Sequence, residues 1–297
     1  MALNKKSLSW SEARDLFRTW RELNERKSQD VVSLWENTLQ KKVHKLGDER
    51  LLVYEQVCLA ALDTNRMDIA DQCLVALKKE FSTSLRVRKL QAMKLEAMER
   101  YDEALELLDN IIRRDETNAA PRKRRVAILK ARGRIPEAIK ELTEYLKKFM
   151  SDQEAWQQLC DLYLMETDFA RAAFCMEELL LQNPHNHLVH QRYAEIRYTQ
   201  GGYENIELAR AHYCQAIKLN PNNMRALYGL FLTSSNIALS PKTTSQKRKD
   251  AGKLAKWALR QIEERYESST QVEALESMLS GLQLGSVPAV TPPTPST

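Results

Sequence analysis

The chain has 297 residues, 45 of them Lys or Arg and 40 Asp or Glu, for a formal net charge of +5. So mild a balance for a chain of this size decides little, and the placement of charge is more informative than its sum. Only 8 glycines and 9 prolines are present, and no sustained two-residue alternation, so strands have nothing to start from and the fold class is all-α.

No run approaches the roughly 18 apolar residues of a membrane span, and the stretch before Trp10 lacks an apolar export signal. Cys58, Cys73, Cys160, Cys175 and Cys214 fall in no CxxC or zinc spacing. Together these features predict a soluble chain in a reducing compartment, the cytosol, with its cysteines used as small packing residues.

In chain order, Trp10, Ala13, Phe17 and Trp20 recur at helical spacing behind Ser9, a candidate N-cap. Val31, Leu34, Trp35 and Leu39 follow on a second helix expected to end by Gly47. Residues 1–47 therefore read as a capping helix pair, whose three tryptophans either bury against the next repeat or present an aromatic anchor to a partner.

From residue 48 a period takes over. Ala70, Ala104, Ala138 and Ala172 stand 34 residues apart, and Ala209 follows after 37. Four residues beyond each alanine comes a large side chain: Leu74, Leu108, Leu142, Met176 and Tyr213. Small then large on one helix face marks where the second helix of a pair crosses the first. The copies fall near 51–84, 85–118, 119–152, 153–186 and 187–223, with a half copy at 224–238. The three extra residues of the 187–223 copy are expected in a longer turn around Gly201, Gly202 and Tyr203. After the half copy no alanine-bearing partner is expected within 34 residues.

The copy at 153–186 is the clearest. Trp156, Leu159, Tyr163, Ala172 and Pro184 resemble the tetratricopeptide signature, with Cys160 where glycine is usual and Met176 where phenylalanine is usual. The next copy shares the closing proline, Pro221. The resemblance implies an α-solenoid of antiparallel helix pairs, an array over 48–238 with atypical capping helices at both ends. At the C-terminal end, 239–284 reads as a polar, basic linker over 240–249 and two capping helices, near 250–266 and 271–284. The second of these carries Val272, Leu275, Met278, Leu279 and Leu282. The Pro/Thr/Ser-rich stretch 285–297 is expected to be disordered.

No phosphate loop, GxGxxG, GxSxG or HExxH is present. His185, His187 and His190 cluster near Pro184 without a carboxylate or cysteine at ligand spacing, and read as solvated. The chain is expected to be no enzyme and to use no cofactor or metal.

The tetratricopeptide resemblance implies that positions 2, 5, 9 and 12 of each first helix line a concave surface. In this sequence those positions give Leu52, Glu55 and Leu59, then Arg86, Lys89 and Met93, then Lys123 and Lys130, then Gln157 and Asp161. The order runs apolar, basic, acidic. Arg113, Arg114, Arg122, Arg124, Arg125, Arg132 and Arg134 extend the basic zone, which suits an acidic partner segment or an anionic membrane surface.

Cochaperones of this family hold a terminal carboxylate with Lys and Asn at positions 5 and 9. The pairs here are Glu55/Leu59, Lys89/Met93, Lys123/Ala127 and Gln157/Asp161, which make no such clamp. Between Arg86 and Arg134 the one aromatic is Tyr101, too few for base stacking, so no nucleic-acid partner is expected.

Over its whole length the chain closely resembles the subunit 2 family of the endoplasmic reticulum membrane protein complex. The likeness is carried by the opening MALNKKSLSWSEARDLFRTW, the repeat from Trp156 to Pro184, the copy ending LNPNN at Asn223, and the Pro/Thr tail. It implies a non-catalytic scaffold, peripheral on the cytoplasmic face of the endoplasmic reticulum membrane. Such a scaffold is hetero-oligomeric with integral and cytosolic subunits, and supports energy-independent insertion of tail-anchored and multi-pass proteins. The alternatives are a cochaperone-type adaptor and an RNA-associated repeat protein. Ala2 is read as an acetylation site after methionine removal.

Overall fold

The computed structural model describes residues 8–266, and among them every regular element is helical. Ala2, the segment 271–284 and the tail 285–297 lie outside the described residues. The chain divides into two compact units, 1–150 and 151–297, so the boundary falls between the third and fourth repeat copies.

The first unit opens with α1 (Trp10–Glu22). Its start is a capping box: Ser9 Oγ accepts the Glu12 N–H at 3.3 Å, and the Glu12 carboxylate accepts the Ser9 N–H at 2.7 Å. The second helix is not the continuous one expected. After α2 (Ser28–Leu34) the chain widens into a π-turn over Trp35–Leu39, then tightens into 3₁₀ geometry over Gln40–Glu49, broken at Lys42 and at Gly47, where φ is +55°. Trp35 and Leu39, four residues apart on one face, are both in the core.

The tryptophans are core residues rather than an anchor. Trp20 and Trp35 are buried, Trp35 meets Tyr54 edge-on at 5.6 Å, and half-buried Trp10 lies under Arg14.

Three helix pairs complete this unit: α3 (Arg50–Asp63) with α4 (Met67–Glu80), α5 (Leu85–Ala97) with α6 (Tyr101–Arg114), and α7 (Ala119–Ala131) with α8 (Ile135–Lys148). The second unit holds α9 (Gln153–Met165) with α10 (Phe169–Gln182), α11 (His187–Gln200) with α12 (Tyr203–Leu219), and α13 (Met224–Leu239) with α14 (Ser245–Tyr266).

Ala70, Ala104, Ala138, Ala172 and Ala209 are each 0 % exposed. A larger side chain there would push the axes apart at about 1–3 kcal/mol. Cys58, Cys73, Cys160 and Cys175 are free thiols buried in the pairs, and burial pushes Cys58, Cys160 and Cys175 up to about 12.

A second 34-residue series, hidden in the sequence, runs through the turns. Asn65, Glu99, Gly133, Thr167 and Gly201 all have positive φ, between 57° and 75°. Each follows the end of a first helix. In the first four copies the residue after it returns its N–H to the helix five residues back, as Arg66 does to the Ala61 carbonyl at 2.8 Å and Asp168 to that of Tyr163 at 2.9 Å. This closes the helix C-terminus and makes the same residue the N-cap of the next helix: Arg66, Arg100, Arg134, Asp168 and Gly202.

Two expectations need correction in the second unit. The three extra residues of the 187–223 copy do not lengthen its turn, which is only Gly201 and Gly202; they extend α12 to 17 residues, against 14 in α10. An added helical turn keeps its backbone groups bonded, whereas a longer loop would leave them to solvent. Likewise α13 does have an alanine-bearing partner. Helix α14 starts at Ser245, inside the stretch read as linker, and buries Ala251, Ala255, Ala258 and Ile262 against α13.

Candidate partner-binding grooves

The first unit contains an open groove of about 580 Å³. Five of the expected residues line it: Leu52, Glu55 and Leu59 from α3, and Arg86 and Met93 from α5. Leu52 stays 47 % exposed there, an unusual position for a leucine in a packed helix pair. The other wall comes from the first helix pair and its link: Trp20, Arg21, Asn24, Arg26, Ser28 and Val31. These residues lie outside the 34-residue period, so no repeat position pointed to them.

The groove's charges are largely satisfied within the unit. Arg26 donates to both Asp63 carboxylate oxygens, at 2.7 and 2.5 Å, with Ser28 Oγ donating at 2.6 Å. The Arg26 hydrogen bonds hold the Asp63 carboxyl below the usual carboxylate range. Arg86 pairs with Glu55 at 2.6 Å and Arg124 with Glu96 at 2.6 Å.

Lys89, Lys123 and Lys130 do not line this groove. Lys89 is half-buried, Lys130 is exposed, and Lys123 lies over the Tyr145 ring at 5.9 Å. Part of the basic run is similarly paired: Arg125 bridges Asp109 and Glu141, Arg132 meets Asp102, and Arg134 meets Glu137, while Arg113 and Arg114 are exposed at the end of α6. What the groove offers is an apolar floor of Leu52, Leu59 and Met93 between paired charges.

In the second unit Gln157 and Asp161 line a smaller hollow of about 270 Å³ between α9, α10 and α11, with Cys160, Leu188 and Arg192. Arg192 spans Asp161 at 3.5 Å and Glu195 at 3.4 Å. Trp156 and Tyr163 are half-buried supports, Trp156 against Phe174 and Tyr163 beneath Arg171.

Of the three clustered histidines His185 is exposed, as expected, but His187 and His190 are not solvated. His190 is buried; its Nε2 donates to the Pro184 carbonyl at 3.0 Å, since a carbonyl can only accept, and its Nδ1 lies 3.0 Å from Nδ1 of His212. Burial first, and then His190, push His212 down to about 4. His187 is held by Asn220 and Asn223 at 3.2 and 3.0 Å, so the turns carrying Pro184 and Pro221 are each fastened by an imidazole. Among the described residues no group of three or more His, Cys, Asp or Glu is arranged to hold a metal ion, and no helix is long and apolar enough to cross a membrane.

Residues 67–205 match the family model described as the EMC2 TPR-like repeat domain. The C-terminal part of a TPR repeat-containing protein from Cytophaga hutchinsonii superposes with a TM-score of 0.59 over 90 % of this chain and 98 % of that one; at 13 % identity the likeness shows the fold alone. ER membrane protein complex subunit 2 of Dictyostelium discoideum is 29 % identical over 94 % of this chain and 91 % of its own length. The Xenopus tropicalis protein of the same name is 49 % identical over 285 residues, 93 % of this chain and 96 % of that protein. With its tetratricopeptide-type helix pairs and this identity over nearly its full length, the chain belongs to the ER membrane protein complex subunit 2 family.

Proposed function

We propose that the chain is a non-catalytic scaffold of a multi-subunit complex on the cytoplasmic face of the endoplasmic reticulum membrane, and that the groove of the first unit seats a segment of a partner subunit. Through such seats it bridges integral and cytosolic subunits and so supports energy-independent insertion of tail-anchored and multi-pass proteins. Family membership supports the complex. The observation that carries the groove reading is the apolar floor, exposed Leu52 with half-buried Leu59 and Met93, flanked by charges that already have partners.

A purely acidic peptide would have to displace Glu55 or Asp63 from its arginine, leaving a half-buried carboxylate unpaired. An amphipathic segment covers the floor without that cost and gains roughly 25 cal/mol for each Å² of apolar surface removed from water. The predicted occupant is therefore an amphipathic helix or extended strand with apolar side chains at its centre.

The test is affinity purification from detergent-solubilised endoplasmic reticulum membranes. Leu52→Glu/Met93→Glu is expected to lose integral membrane partners, while Val75→Glu, at an exposed site on α4 that does not line the groove, keeps them. Retention of the same partners by the groove variant would refute the assignment.

A further inference from the structure

The first unit carries a third 34-residue series. Lys45, Lys79, Arg113 and Lys147 stand at equal intervals, each near the end of a pair's second element, and all are exposed. Each first helix reverses the chain between two second helices, so the C-terminal ends of α4, α6 and α8 share one edge. Lys78, Arg114 and Lys148 add a second cation in the same last turns.

We propose that this edge is an anionic-lipid contact, the face by which the chain itself rests on a membrane surface. Its placement on the cytoplasmic leaflet rests on the function proposed above; its affinity for lipid does not.

The fold does not require these cations. At the same position in the second unit stands Leu181, 78 % exposed, and α10 ends with no basic residue in its last turn, although it matches α4, α6 and α8 at 14 residues. The helix dipole does not require them either. A helix C-terminus carries about half a negative charge, and the N-termini of α5 and α7, which follow on the same edge after the links 81–84 and 115–118, offset it.

The charge is also uncompensated. Among the described residues Lys45, Lys78, Lys79, Arg113 and Arg114 have no ion-pair partner. The acids of this edge are largely occupied: Glu80 meets Arg50 at 3.2 Å, Glu116 meets Lys148 at 3.2 Å, and Asp115 accepts from Thr117 Oγ1 at 2.6 Å. Lys147 turns to Glu144 at 2.7 Å, and exposed Asp48 offsets one cation.

The layout suits a surface better than a peptide. None of these cations lines either hollow described above; they form a row along four copies, where a diffuse potential would act on each of them separately. Phe81, at the C-cap of α4, is 47 % exposed beside Lys78 and Lys79, and Met150, just beyond Lys147 and Lys148, is exposed as well. Apolar tips flanked by flexible cations match a headgroup boundary, where the tips enter and the ammonium groups stay among phosphates.

The test is flotation of the purified full chain with phosphatidylcholine vesicles containing about one-third phosphatidylserine. The chain is expected to float with these vesicles and to stay behind with phosphatidylcholine alone. Lys79→Gln/Arg113→Gln should lower partition about 25-fold, about fivefold for each cation. Lys253→Gln/Lys256→Gln removes the same charge from exposed sites on α14 and should leave partition within about twofold of the parent's, because those cations lie off the contact. No flotation of the parent, or equal losses from the two pairs, overturns the proposal.

Two further variants keep the result readable. Lys79→Arg/Arg113→Lys retains the charge and should float as the parent does, which separates lost contact from lost fold. Phe81→Trp should be quenched by brominated phosphatidylcholine in the mixed vesicles beyond the quenching of the parent's own tryptophans. Absence of that added quenching, with binding to soluble polyglutamate instead, would make the edge a site for an acidic polypeptide and overturn the lipid assignment. The assay contains no partner subunit, so its failure leaves the groove reading intact, and loss of partners from the groove variant leaves this one intact.

Discussion

The two units use the same helix crossing and different turn chemistry. At the N-cap of the second helix, residues 66, 100 and 134 are arginines that cannot accept a backbone N–H; instead each pairs with a first-turn acid, Asp68, Glu103 or Glu137. At the same repeat position in the second unit, Asp168 accepts the Arg171 N–H directly at 3.0 Å, and Gly202 follows 34 residues later.

The pattern extends between pairs. In residues 1–150 neighbouring helix pairs are tied by ion pairs: Arg66–Glu36, Arg86–Glu55, Lys94–Asp71 and Arg132–Asp102. In 151–266 ion pairs such as Arg225–Glu195 occur too, but the turns are fastened by neutral groups, Asn183 to Gln153 and His187 to Asn220 and Asn223. A repeat needs its crossing alanine; it can fasten its turn by charge or by amide. The first unit therefore keeps the fold while losing the signature prolines.

The comparison predicts different weaknesses. The largest effect belongs to the second unit's crossing, where Tyr213 takes the place of leucine and requires Gly229 beside it: a Cβ built there would lie 2.2 Å from the ring. Gly229→Ala is expected to cost about 2–3 kcal/mol in thermal unfolding, and Tyr213→Leu to restore most of it in the double variant. Ala104→Leu should cost about 1–3 kcal/mol in the first unit. An unchanged melting temperature would break the crossing account.

The next effect is a sensitivity of the second unit to mild acid, above the carboxylate range. An unfolded imidazole titrates near 6.5, and His212 in the fold near 4, depressed by burial and by His190, with Glu177 opposing and Arg197 adding to the shift. Between those values the unfolded chain takes up a proton that the folded chain refuses, so stability falls as pH drops from about 6.5 to 4. The half-buried ring is partly hydrated, which brings the expected loss to about 1–2 kcal/mol. Hydrogen exchange in α11 and α12 at pH 7 and pH 5 should show it, and His212→Gln should flatten it.

The turns give a smaller, stabilising effect. Thr167 and Glu99 hold left-handed conformations that cost a non-glycine residue about 1 kcal/mol, so Thr167→Gly and Glu99→Gly should each raise stability by up to that amount, and Gly133→Val should lower it. Smallest is the salt response. Each exposed ion pair is worth about 0.2–1 kcal/mol, so Arg132→Gln should cost about 0.5 kcal/mol, and high salt should reduce amide protection in the first unit more than in the second.

Helix pairing was legible in the sequence because the crossing requires one residue type; only alanine fits, so the position repeats as a letter. The turn series was invisible because positive φ is a backbone requirement that Asn, Glu, Gly and Thr all meet here at different cost. The groove was half legible. Leu52, Leu59 and Met93 follow from register, but Arg26, Ser28 and Trp20 belong to a helix pair outside the period. Lys89 and Lys123 look basic and available in the sequence, yet neither lines the groove, and Lys123 lies over Tyr145. Charge read along a chain counts cations without their acids; the ion pairs one helix away are visible only in three dimensions.

The central claim, that the first unit's groove seats a partner segment, is tested most directly by placing a photo-crosslinking residue at Leu52 in cells and irradiating intact endoplasmic reticulum membranes. The account predicts a crosslink from position 52 to an integral membrane polypeptide, and none to that polypeptide from position 75. Crosslinks from position 75 alone, or a position 52 that reaches no membrane polypeptide, would contradict it.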